Sequence, residues 1–133
     1  MNERGMTAVS HDLMRRIDAG ALLAGVHPHR FARDSFELGV RVIRQHGVDT
    51  FDFSQVAPTP QTSEKMVAVK LQKPLVHDFW KEIKHRGVAW QLALRAALTI
   101  GLDAFDGIGG YGVYLQRLEA VRINLTTPAN RAA

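Results

Sequence analysis

From Lys65 to Gln72 polar and apolar residues alternate, with Val67, Val69 and Leu71 on one side and Met66, Ala68, Lys70 and Gln72 on the other. A period of two predicts a strand with one wet face. The period then changes. Leu75, Val76, Phe79, Trp80 and Ile83 follow at helical spacing, opposite Asp78, Lys81, Glu82, Lys84 and His85, which predicts an amphipathic helix. Pro74 suits its first position, where a backbone N–H would be unpaired anyway. Gly87 closes it behind Lys84-His85-Arg86, a basic run that complements a helix C-terminus. From about Ala89 to Phe105 the chain carries Leu92, Ala93, Leu94, Ala96, Ala97, Leu98, Ile100 and Leu102. A helix apolar nearly all round has to be buried on several sides.

This strand-helix-helix pattern occurs twice, with residue i matching residue i+62. Gly25-Val26 matches Gly87-Val88, Leu13 matches Leu75, Arg33 matches Arg95, and Gly39 matches Gly101. Apolar positions recur around these anchors: Val9 with Leu71, Met14 with Val76, Ile17 with Phe79, Phe36 with Leu98, Leu38 with Ile100, Val40 with Leu102. The first copy spans about Gly5 to Ile43. Met6 to Ser10 is its strand, Thr7 and Val9 facing inward. Asp12 is a suitable N-cap for the helix carrying Leu13, Met14, Ile17, Ala21 and Leu22, and His27-Pro28 opens the next helix, which Gly47 ends near His46.

Between the copies, Phe51 and Phe53 stand in a polar stretch as anchors of a linker on the core, and Pro58 and Pro60 oppose both helix and sheet. After Phe105, the glycine-rich run to Gly112 predicts a flexible joint. Val113 to about Asn124 can form a last helix with Tyr114, Leu118, Val121 and Leu125 on one stripe, and Thr126 to Ala133 should fray. The expected organisation is a first unit over 1–46 with an N-terminal arm, a linker over 47–64, a second unit over 65–105, and a Gly-hinged tail over 106–133.

The order of strand, helix, Gly-Val turn and buried helix, carried by Val67-Ala68-Val69-Lys70-Leu71, Gly87-Val88 and Arg95-Ala96-Ala97-Leu98, resembles the ribbon-helix-helix superfamily of DNA-binding proteins, the class of the Arc and MetJ repressors. The resemblance covers about 80 of the 133 residues. It implies a mainly α fold with a two-stranded antiparallel β-ribbon, and two intertwined units whose ribbon enters the DNA major groove. The tandem copy implies that one chain makes the whole pseudo-dimer, and so a monomer in solution. Such single-chain forms resemble DNA-processing accessory proteins of conjugation systems, including those that bind the overdrive element of T-DNA transfer.

On that reading the free ribbon face meets base edges with Ala68, Lys70 and Gln72 from one strand and Met6, Ala8 and Ser10 from the other. Lys70 can donate to guanine and Gln72 can pair bidentately with adenine. The halves differ, so the expected DNA site is asymmetric. The resemblance also implies phosphate contacts where each second helix begins, here His27, His29 and Arg30, and Ala89, Trp90 and Gln91, with Arg4 in support. His27 and Ala89 replace the usual Ser or Thr cap, and Pro28 removes an N–H.

Composition narrows the alternatives. With 133 residues and 46% hydrophobic content the chain can build a core, whereas a single copy of about 40 residues sits where unaided folding usually fails. There is no cysteine, so no disulfide, thiolate nucleophile or Cys-based zinc site is available. No apolar run reaches the roughly 20 residues of a transmembrane helix, and a cytoplasmic location is expected. A formal charge of +4 and a pI near 9.9 favour polyanionic partners. His27 and His29 lack further metal ligands, and Gly107-Ile108-Gly109-Gly110 lacks the Lys-Ser/Thr of a phosphate loop. No serine has a base and an oxyanion arrangement around it. A DNA binder without cofactor is expected, not an enzyme, acting as a transcriptional regulator or a plasmid or conjugative DNA-processing factor. The alternative is a protein-interaction module of the same fold that holds a partner through Tyr111, Tyr114 and Leu118 of the tail.

Overall fold

A computed structural model describes the backbone of residues 6–56 and 66–126, and side chains at 7–56 and 68–123. The expectations for Arg4, for Lys65, for the side chains of Met6, Met66, Val67 and Leu125, for Pro58 and Pro60, and for the last residues of the chain lie outside the described residues. The architecture is mainly helical with one small antiparallel sheet. Strand β1 (Met6–Ser10) leads into α1 (His11–Ala24) and α2 (Pro28–His46). A short helix α3 (Phe53–Val56) precedes β2 (Met66–Lys70), α4 (Lys73–Ile83), a 3₁₀ turn (Lys84–Arg86), α5 (Trp90–Gly107) and α6 (Tyr111–Thr126).

β1 and β2 pair antiparallel, Met6 opposite Lys70, Thr7 opposite Val69, Ala8 opposite Ala68 and Val9 opposite Val67. Thr7 and Val69, 62 positions apart, are direct partners. Its inner face is buried through Thr7, Val9 and Val69, and Leu71 continues it. The alternation read from the sequence therefore holds on the inner face, and on the outer face at Ala68 and Lys70.

The helices repeat the same register. Gly25 and Gly87 both close their turns with φ of 69°, in the left-handed region that glycine enters without a Cβ penalty. α2 and α5 pass so closely that a Cβ on Gly39 would overlap the carbonyl oxygen of Ala97, and one on Gly101 would overlap that of Ser35. Ser35 and Ala97 are also 62 apart, so these two contacts mirror each other. Around the crossing Phe36, Val40, Ile43, Leu94, Leu98 and Leu102 are fully buried, together with Ile17 and Phe79 from α1 and α4. Ion pairs tie α1 to α5 and α2 to α4: Arg16 to Asp106 at 2.7 Å, and Arg44 to Glu82 at 3.0 Å.

The sequence reading needs correction at three places. The N-cap of α1 is Ser10, whose Oγ accepts from Leu13 N–H at 3.1 Å, while Asp12 sits inside the first turn paired with Arg15. The strand runs into the helix without an intervening residue, which leaves the last strand residue as the extended one that can cap. Second, α4 begins at Lys73, so Pro74 holds its second position, which still lacks an intrahelical acceptor for its N–H. Third, the glycines after Phe105 form no loose joint. α5 runs on to Gly107, Gly110 N–H returns to Phe105 O at 2.8 Å, and α6 starts two residues earlier than expected.

That early start matters because Tyr111 is buried between Phe31 and Phe105, with ring centroids at 4.6 and 5.0 Å. Its hydroxyl donates to Asp34. Burial, then the Asp34 contact, hold the phenol well above the usual tyrosine range. α6 is thus docked on α1 and α2 rather than hanging from a hinge. The linker is anchored correspondingly on the other side. Phe53 is buried at 6.3 Å from the Phe79 ring, with the Arg86 guanidinium over its face at 5.1 Å, and the Phe51 ring lies tilted beside it at 5.1 Å. Arg86 also donates to Val48 O at 2.8 Å. The anchoring role expected of the two phenylalanines is the one observed.

Candidate nucleic-acid interface

A two-residue alternation over five-residue strands leaves only a narrow outer face on the ribbon. Ala68 and Lys70 are exposed there and Ala8 is half-buried. These three lie together as the sequence reading placed them. Lys70 has no acidic partner among the described residues, so its ammonium group is available to a ligand.

The ends of the ribbon are occupied differently. Ser10 spends its hydroxyl on the α1 cap. Gln72, the residue 62 positions later, stands at the N-cap of α4 without capping it. Its Nε2 makes a long 3.5 Å contact with Glu37, and its Oε1 is buried without a partner. Both side chains are therefore set back from the outward row that alternation alone assigned them, because each residue is the N-cap of the helix that follows.

The starts of α2 and α5 diverge more. At α2, His27 supplies the cap: its Nδ1 accepts from His29 N–H at 3.1 Å, and the two rings stack at 4.8 Å. His29 and Arg30 are exposed. At α5, Ala89 is exposed and makes no side-chain cap, but Gln91 turns inward. Its Oε1 accepts from Thr7 Oγ1 at 2.8 Å and from Ala8 N–H at 2.9 Å, so this side chain holds the ribbon onto α5. Trp90 is half-buried against Trp80 and Phe79 at 5.0 and 6.1 Å, its Nε1 unpartnered.

Sequence reading missed Arg33 as a site residue. A cleft of about 640 Å³ opens between α2, the end of β2 and the start of α4, lined by His29, Arg33, Glu37, Lys70, Leu71, Gln72, Pro74 and Leu75. Arg33 is exposed with no acidic partner among the described residues. Its spacing signals the site: His29, Arg33 and Glu37 recur every four residues and share one face of α2. Arg95, its equivalent 62 positions on, is only 9% exposed, its Nε unpartnered. Burial draws its pKa below the usual arginine value.

Among the described residues no three or more His, Asp or Glu side chains gather in a metal-ligating group, and no described helix is long and apolar enough to cross a membrane. In comparisons with known proteins, no family model, curated protein or solved structure matches the chain.

Proposed function

We propose that this chain is a single-chain ribbon-helix-helix pseudo-dimer that binds double-stranded DNA by laying the outer face of its β-ribbon in the major groove. The observation that carries the reading is the direct pairing of Thr7 with Val69, 62 positions on, in a ribbon whose inner face is sealed on helices. A lone two-stranded ribbon is marginal in water, and this one persists because α2 and α5 sit beneath it. Its free face carries small residues and one lysine, Ala8, Ala68 and Lys70, so it can approach base edges closely. The roughly 12 Å major groove admits such a ribbon. The mirrored Gly39 and Gly101 contacts support the pseudo-dimer.

The excess of basic residues supplies sequence-independent attraction to phosphate, and Lys70 with its neighbours supplies readout. Regulator and conjugative processing factor are both consistent with that activity. The test is fluorescence anisotropy of the full chain with a labelled random-sequence duplex at several salt concentrations, with light scattering for mass. A monomer whose log affinity falls linearly with log salt is expected. A chain with no duplex affinity at low salt would remove the DNA function.

A second reading has its own observation. α6 leaves Leu118, Val121 and Ile123 about half exposed, and α1 leaves Leu22 and Leu23 more than 80% exposed. A protein partner at α6 would cover such residues. Truncation after Leu115 tests it, because Tyr111 stays in the core. Loss of a partner with duplex affinity intact would favour this reading.

A further inference from the structure

The ribbon is symmetric in backbone register, but its chemistry is not. At the β2 end stand Lys70, Lys73, His29 and Arg33, exposed and without acidic partners among the described residues. The residues 62 positions away, at the β1 end, are Ala8, His11, Gln91 and Arg95. Ala8 has no charge, and Gln91 is fastened to Thr7 and Ala8. Arg95 is buried. The cleft beside Lys70 is open, and the Glu37 carboxylate on its wall is occupied by Arg41 at 3.6 Å as well as by Gln72.

Resting on the DNA-binding reading above, we infer that the protein grips DNA through one half of the pseudo-dimer only. The Arg33–Lys70 cleft is its backbone-phosphate seat, and the equivalent positions at the β1 end offer only the neutral Gln91 and the buried Arg95. The physical reason is solvation. A guanidinium on the surface, like that of Arg33, reaches a phosphate oxygen by exchanging water for a charge-assisted contact. A buried one such as Arg95 has to be drawn out of the core first. Gln91 is neutral, and the two hydrogen bonds accepted by its Oε1 hold its side chain against the ribbon. Binding therefore depends on the β2 half, and the base sequence matters mainly on the side that meets Lys70. The β1 half then supports the ribbon and completes the core.

One matched pair of substitutions, each changing charge by one unit at equivalent positions, decides the matter. Lys73→Gln is compared with His11→Glu by duplex anisotropy across salt, with circular dichroism melts to verify folding. Both side chains are exposed in the first turn of a helix. Lys73→Gln is expected to weaken binding about fivefold and to flatten the log-log salt slope by about one, and adding Lys70→Gln to flatten it by about one more. His11→Glu is expected to change affinity by less than about twofold at the same salt. Arg33→Gln is expected to flatten the slope by about one. Equal losses from Lys73→Gln and His11→Glu, or no loss from Lys73→Gln, would overturn the one-sided grip while leaving DNA binding in place. Absence of duplex affinity in the unmodified protein would instead remove the DNA reading itself.

Discussion

Gly39 lies against the backbone carbonyl of Ala97, too close for any side chain, and Gly101 repeats the relationship at Ser35. In an exposed helix, exchanging glycine for alanine stabilises by up to about 1 kcal/mol. Here the sign reverses. Gly39→Ala and Gly101→Ala should each destabilise the protein by about 1–3 kcal/mol or more, since backbone must move to admit the methyl group. Denaturant melts of the two variants measure this, and similar losses are expected because the two contacts are equivalent.

Gln91 joins α5 to the ribbon through two hydrogen bonds from one strand. Gln91→Ala should cost about 1–3 kcal/mol by leaving the buried Thr7 hydroxyl and the Ala8 amide unpaired. Amide exchange at Ala8 should accelerate more than exchange within α2, whose bonds do not involve Gln91.

Arg95 is a buried cation with an unpartnered Nε. Replacing such a group with an apolar one of similar length commonly leaves stability unchanged or raises it, because a desolvated charge is removed. Arg95→Met should therefore raise the melting midpoint, whereas Arg33→Met on the surface should leave it nearly unchanged.

Linker anchoring contrasts burial with surface charge. Phe53→Ala should cost about 3–5 kcal/mol, as expected for an aromatic side chain taken from a core. Glu82→Ala, which removes the half-exposed Arg44 pair, should cost less than about 1 kcal/mol. Thermal melts at low and high salt separate the two effects, with only the second sensitive to salt.

The Tyr111 phenol ionises well above its ordinary range because burial and Asp34 both favour the protonated form. An unfolded chain releases this proton near pH 10, while the folded chain retains it. Its stabilising contribution is complete below pH 10 and is lost progressively as pH rises beyond it towards the folded value. Absorbance titration should show a tyrosine resisting ionisation above pH 10, and Tyr111→Phe should abolish that resistance.

Periodicity by itself determined much of this protein. Alternation marked Thr7, Val9, Val69 and Leu71 as inward, and spacing marked the faces of α1, α2, α4 and α5. These are properties of a local backbone repeat, so neighbouring residues carry the information. Tertiary structure decided what equivalent residues do. Arg33 and Arg95 are alike in sequence, yet one is exposed in a cleft and the other is buried; His29 is exposed while Gln91 is spent on the ribbon. Ser10 and Gln72 lost their outward roles because each is the N-cap of a helix. Tyr111, placed by the sequence in a flexible tail, fills a space between Phe31 and Phe105. Such outcomes depend on which surfaces meet across the chain, and on whether burial leaves a polar group water or a partner. Spacing along one segment does not encode either.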